Sequence, residues 1–237
     1  MVRWFITSIF FTAVQLFLAP QSKAADVPKY ECADLINHPD AITVTVKNGF
    51  VSSVEVQRSS DKRTFYIRTD RDIKFVAGTY DMKIDEFLRY FKGKILDAGA
   101  GDGSFVNEMQ VLGYDVVGAD IYLTPFQQTQ PTIFFRQDIA HLKWPDNTFD
   151  RIISTYSVLT YELRNASAPA EPVSMRVLQE FKRVLKPGGI ILLSPVPDSG
   201  VMESMLANIK GLVIEKKTQY PANSRESGYI LRKSEGE

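Results

Sequence analysis

The sequence holds one cysteine, Cys32, so an internal disulfide is excluded. It has two histidines, and these lie far apart from each other and from Cys32, which leaves no nitrogen-and-sulfur ligand cluster for a metal. It lacks a basic stripe. The 28 Lys and Arg residues are matched by 28 Asp and Glu residues, for a net charge of zero. That balance argues against a nucleic-acid backbone as the main partner. The longest apolar run, Trp4 to Leu18, is about 15 residues, short of the ~20 that cross a bilayer as a helix. There is no internal repeat and no low-complexity tract. What is present is ordinary: 44% hydrophobic and 24% charged residues, the proportions of a globular chain. A length of 237 residues predicts one domain with a short extension.

The N-terminus reads as an export signal. Arg3 gives a small positive start, the run to Leu18 is mostly apolar, and Pro20 breaks it. Ser22 and Ala24 supply small residues at the −3 and −1 positions before Ala25. Residues 1–24 are therefore expected to be a cleaved signal peptide, with a periplasmic or secreted destination. Two alternatives stay open: an uncleaved anchor formed by residues 4–18, and a buried N-terminal helix. Any membrane contact is expected through this segment alone. Cleavage would leave 26 basic against 28 acidic residues.

The most informative stretch runs from Ile95 to Gly103, ILDAGAGDG. A strand-like apolar pair carries Asp97 and is followed by glycines at 99, 101 and 103. Phe105, Val106, Met109 and Leu112 then recur at helical spacing, and Gly113 stops them. A buried strand thus ends in a glycine loop that opens a helix, an arrangement suited to a nucleotide-like ligand. The dinucleotide fingerprint G-x-G-x-x-G does not fit, because the third glycine comes one residue early and Ser104 stands in its place. The pattern is acid-x-G-x-G-x-G. In this the chain resembles the class I S-adenosylmethionine (SAM)-dependent methyltransferases.

Four further features follow in the order that family has them. Asp115 to Ala119 reads as a second strand ending in Asp120, 19 residues beyond Gly101. A carboxylate there suits the vicinal hydroxyls of a ribose. Thr132 to Gln137 reads as a third strand ending in Asp138. Asp150 to Ser154 is the fourth strand, introduced by Phe149 and preceded by LKWPDNTFD (Leu142 to Asp150). Ile190 to Ser194 is the fifth, introduced by LKPGG (Leu185 to Gly189), which is expected to close a helix over Val173 to Leu185. The resemblance covers Phe91 to Val196. It implies an α/β, Rossmann-like, seven-stranded and mostly parallel sheet with helices on both faces, one strand being antiparallel. It also implies SAM as cofactor, and a cofactor site at Asp97, Gly99, Ala100, Gly101, Gly103, Asp120, Ile121, Asp138, Ile139 and Ser154. In that scheme Asp97 faces the ammonium end of the cofactor, Asp120 the ribose and Asp138 the adenine amino group, with no metal.

Before the glycine loop the texture differs. Ile42 to Val46 alternates, Asn48-Gly49 offers a turn, and Phe50 to Val56 alternates again, which predicts a β-hairpin. Thr64 to Arg68 suits a third strand. This gives a small N-terminal β-hairpin extension over residues 25–80, read as a structural cap rather than a substrate lid, and a methyltransferase domain over 81–237. Asp81 to Phe91 reads as an amphipathic helix. Thr124 and Pro125 suit the start of a short one. Met202 to Ile209 suits a helix, and Leu212 to Lys217 with Gly228 to Leu231 the last strand pair.

Methyl transfer from a sulfonium asks for alignment and exclusion of water more than for an acid or base. Substrate-facing residues are expected after the fourth strand, where Tyr156 and Tyr161 are candidates to pack on cofactor or acceptor, with ordinary helix packing as the alternative. No Asn-Pro-Pro-Tyr signature follows that strand, and with Cys32 alone there is no catalytic cysteine pair for cytosine methylation. His141 reads as a loop residue. A small-molecule acceptor fits best. An aminopropyl transferase would want acids at Ser154-Thr155-Tyr156. A non-catalytic, exported binding protein built on the same fold is the alternative from another class.

Overall fold

The computed structural model describes residues 41–47, 50–57, 64–68, 71–158, 171–196, 199–219 and 226–236. The expected signal peptide (residues 1–24), the turn expected at Asn48-Gly49 and Tyr161 lie outside them. Strands β1 (Ala41–Lys47), β2 (Phe50–Gln57) and β3 (Thr64–Arg68) form an antiparallel sheet in that order. Val44 stands opposite Val54, and Val54 opposite Ile67.

The main sheet has seven strands: β4 (Lys94–Ala98), β5 (Asp115–Asp120), β6 (Phe134–Arg136), β7 (Phe149–Thr155), β8 (Leu185–Val196), β9 (Leu212–Gln219) and β10 (Ser227–Lys233). Their order is β6-β5-β4-β7-β8-β10-β9. The first five are parallel, and β10 runs antiparallel to both its neighbours. The order reverses between β4 and β7. That switch point opens a crevice beyond the carboxyl end of β4, where the glycine loop begins.

Alternation along the strands sends side chains to two apolar layers. On one face Leu96, Ile152, Ile191, Leu193 and Leu231 pack with Val177, Leu178 and Phe181 of α5 (Glu171–Val184) and Met202 and Met205 of α6 (Ser199–Ala207). On the other, Ile95, Ile153, Leu192 and Ile230 pack with Val76 of α1 (Ile73–Gly78), Phe87 of α2 (Ile84–Leu88), and Phe105 and Met109 of α3 (Ser104–Val111). The short α4 (Pro125–Gln128) forms as the sequence suggests, with Pro125 in its first turn and a capping box between Thr124 and Gln127.

Three elements differ from the sequence reading. The helix expected over Asp81 to Phe91 is only α2, because Lys83 offers no side-chain cap and Arg89 ends it. The strand expected over Thr132 to Gln137 shrinks to β6. Leu185 to Gly189 does not close α5 but opens β8, and Lys186 pairs with Asp150 of β7 at 2.8 Å. The ammonium of Lys233 serves the end of α5 instead, donating to the Lys182 and Leu185 carbonyls and to Asn147 Oδ1.

Arg183, near the end of α5, organises the Leu142–Asp150 loop. Its guanidinium donates to the Leu142 and Trp144 carbonyls and pairs with Asp146 and Glu180, while Glu180 accepts from Leu142 N. Arg183→Met keeps the stem and removes every donor. It should lower the unfolding free energy in urea by about 1–3 kcal/mol, since two partly buried carbonyls lose charged donors. An unchanged urea midpoint would show that the loop holds without it.

Candidate functional site

The glycine loop folds back on β5. Gly99 N and Ala100 N both donate to Ala119 O, at 2.8 and 3.0 Å, and Gly101 N donates to Asp120 Oδ2 at 2.9 Å. Gly99, Gly101 and Gly103 all have positive φ. At Gly103, which caps α3, a Cβ would lie 2.6 Å from the Phe134 ring and 2.9 Å from Gln127 Nε2. That same amide donates to Gly101 O at 3.0 Å, so the capping box of α4 also clamps the loop.

Asp97, the penultimate residue of β4, is fully buried. Its Oδ1 accepts from Arg71 Nη2 at 2.9 Å, and Arg71, itself 2% exposed, also donates to Gly99 O at 2.6 Å. Burial pushes the Asp97 carboxyl above the usual range, and the Arg71 charge and hydrogen bond pull it back. Asp97 Oδ2 and Arg71 Nε have no hydrogen-bond partner among the described residues. One buried acceptor and one buried donor thus stand together at the glycine loop, a fit for the ammonium and carboxylate of an α-amino acid.

Asp120 accepts from Gly101 N on one oxygen and from Tyr122 N on the other, at 3.1 Å. Each oxygen keeps a lone pair for a ribose hydroxyl. Burial raises its pKa to about 6, against the lowering effect of the Gly101 amide and Arg71. Ile121, next to it, lends its carbonyl to Arg136 Nε. Asp138 closes the turn after β6 by accepting from Ala140 N at 2.9 Å, and Ile139 packs against the core. The Ser154 hydroxyl donates to Ala98 O at 2.8 Å and so pins β7 to the end of β4. Tyr156 follows β7 with φ +60° and stacks on Phe75 with centroids 6.0 Å apart.

Arg71, Phe75 and Tyr80 are site-side residues that the sequence reading missed. They belong to α1 and its flanks, within the segment grouped with the β extension. The signal was present: Ile73, Val76, Ala77 and Tyr80 recur at i, i+3, i+4 and i+7, and all four are buried. Asp72 caps the helix by accepting from Phe75 N, and Glu108 of α3 accepts from Ile73 N at 2.7 Å. Thr79, at the other end, receives the Ser194 hydroxyl of β8 on its carbonyl at 2.7 Å. Ten residues, mostly helical, reach about 14 Å, the width of three strand spacings. α1 is therefore a strap across the carboxyl ends of the central strands.

Comparison with known proteins agrees with this geometry. A family profile described as "Methyltransferase domain" matches residues 96–193. The chain is 30% identical over 131 residues to a demethylmenaquinone methyltransferase of Paenarthrobacter aurescens, covering 54% of this chain and 45% of that protein. It is 31% identical over 113 residues to a malonyl-[acyl-carrier protein] O-methyltransferase of Yersinia pestis, covering 46% and 39%. The chain thus spans under half the length of each of these relatives. The solved structure of protein PH0226 from Pyrococcus horikoshii superposes with a TM-score of 0.50 at 18% identity, over 70% of this chain and 92% of that one, which shows a shared fold. With its acid-x-G-x-G-x-G loop at the switch point of a seven-stranded sheet, the stretch 96–193 is similar to the methyltransferase domains of these proteins.

Proposed function

We propose that the protein transfers a methyl group from SAM to a small-molecule acceptor. The observation that carries this reading is the buried Asp97–Arg71 pair, with one unpartnered acceptor and one unpartnered donor beside the glycine loop. Asp97 Oδ2 and Arg71 Nε would hold the amino-acid end of the cofactor, the glycine loop its sugar, Asp120 the ribose hydroxyls, and Asp138 with Ile139 the adenine. SAM supplies a methyl group already activated on a sulfonium. The chain's own part is to hold the acceptor in line and keep water out. α1 does the second by covering the carboxyl ends of the strands. The two relatives are named for different acceptors, so the likeness speaks to the donor and leaves the acceptor to this chain's own residues.

Calorimetric titration of SAM and S-adenosylhomocysteine into the full chain tests the reading. Saturable binding of both is expected. Heat traces flat for both ligands would refute it.

Residues 1–24 are proposed to be removed on export, which would place the enzyme outside the cytosol. N-terminal sequencing of the native protein should begin at Ala25. A membrane-bound chain that retains residues 4–18 would favour an anchor. The β1–β3 unit is proposed as a cap on the domain.

A further inference from the structure

The strap α1 and the sheet beneath it enclose a second polar feature, which adjoins the Asp97–Arg71 pair and is made of other residues. Ile153, Leu192 and Ile230 lie on the α1 face of β7, β8 and β10, and all three are buried in that layer. One step toward the carboxyl end, still on that face, the residues turn polar. Thr155 pairs in register with Ser194, whose hydroxyl reaches up to Thr79 O. Next comes Gly228, paired with Thr218 of β9. A Cβ on Gly228 would fall 2.5 Å from Thr218 Oγ1, 3.1 Å from the Tyr80 ring and 3.5 Å from Ser194 Oγ. So Thr155, Ser194, Thr218 and Tyr80 form one row under the C-terminal end of the strap.

Hydroxyls in that row are left open. Thr155 Oγ1, Tyr80 OH and Thr218 Oγ1 are buried atoms with no hydrogen-bond partner among the described residues. Thr155 is 2% exposed and Tyr80 is fully buried. Buried hydroxyls left unpaired are costly, so three along one row point to a ligand that satisfies them. A wall of different character adjoins. Tyr156, the residue after Thr155, sits at φ +60° with its N–H donating to Ser194 O, and its ring lies on Phe75 of the strap at an interplanar angle of 22°. A bulky residue in the left-handed region is strained, and such strain is retained where a side chain must be aimed.

We propose that this row is the acceptor subsite, and that it takes a neutral planar ring bearing hydroxyl or carbonyl oxygens, of the phenol or enol type. The aromatic wall accounts for the flat ring, and Thr155, Tyr80 and Thr218 for its oxygens. Every hydrogen-bonding group in the row is uncharged, which disfavours a carboxylate or an amine cation. The inference rests on the methyltransferase reading above, since it assumes a donor at the adjoining glycine loop.

The test uses the full chain, Thr155→Val and Tyr80→Phe, with S-adenosylhomocysteine present and catechol as the probe. Each substitution removes one open hydroxyl and keeps the shape. Catechol should bind the parent, and each variant should bind it about fivefold more weakly, the scale of one neutral hydrogen bond. S-adenosylhomocysteine affinity should not change, and the ligand-free melting temperature should hold or rise, because an unsatisfied hydroxyl is gone. Equal catechol affinity in parent and variants would overturn the subsite. So would a fall in melting temperature, which would give those hydroxyls partners within the protein. Benzoate or toluene binding the parent better than catechol, or catechol failing to bind, would overturn the proposed class. If S-adenosylhomocysteine does not bind the parent at all, the methyltransferase reading falls first and takes the subsite with it.

Discussion

Arg71→Ala should be among the most damaging single substitutions in the chain. It strands the fully buried Asp97 carboxylate and strips Gly99 O of its donor. Breaking one side of a buried pair costs about 3–5 kcal/mol, a large share of a domain's whole stability. The loss should depend on pH with a definite sign. Burial already raises the Asp97 carboxyl, and Arg71 opposes it. Without Arg71 the carboxyl rises further. A carboxyl raised in the folded state stabilises fully below its unfolded pKa, and that contribution is lost as pH climbs through the folded value. The deficit of Arg71→Ala against the parent should therefore be smaller at pH 5 than at pH 8, as read by urea unfolding at both. Arg71→Ala/Asp97→Asn should be less destabilised than Arg71→Ala alone, since no charge is then left to bury. A deficit equal at both pH values would assign the effect to lost packing of the arginine stem.

The contrast between Asp97 and Arg71 shows what the sequence makes readable. Asp97, the glycines, Asp120 and Asp138 sit at strand ends in a fixed order within about 40 residues, and ordered local spacing is what pattern reading detects. Arg71 lies 26 residues upstream of Asp97 and reaches it only because α1 crosses the sheet edge. Nothing in Arg71 itself marks a partner so distant, although the Ile73-Val76-Ala77-Tyr80 spacing marks the helix that carries it. The LKPGG segment fails for a different reason. Its glycines suit a helix end, and Gly188 does take φ +70°, but pairing of Leu185 with Phe149 draws the backbone into β8 one turn sooner. Tertiary pairing overrides local chemistry there. Thr124 and Gln127 are the opposite case, because a capping box is closed by residues three apart and needs no distant partner.

SAM affinity should fall on acidification through pH 6, and Asp120 should be the cause. Its carboxyl has a pKa of about 6, raised by burial. Only the charged form offers both oxygens as strong acceptors to ribose hydroxyls while they also receive Gly101 N and Tyr122 N. When the competent form is a fraction of the total, apparent affinity drops by that fraction, so binding at pH 5 should be about tenfold weaker than at pH 7. The ligand-free protein should respond in the opposite sense at this residue. The folded carboxyl takes up its proton more readily than the unfolded one, so its contribution to stability grows as pH falls from 6 toward the unfolded value near 3.9. Asp120→Asn removes the charge and sets an amide NH2 against one of the two backbone donors. It should weaken SAM by about 10- to 100-fold at pH 7, the difference between charged and neutral hydrogen bonds at two hydroxyls. The pH dependence of binding between 5 and 7 should flatten in the same variant. Calorimetry at pH 5, 6 and 7 on parent and variant reads both effects. A parent whose SAM affinity is constant over that range would move the ribose contact away from Asp120, and a variant that stays weak yet keeps the acid fall-off would assign the titration to another group.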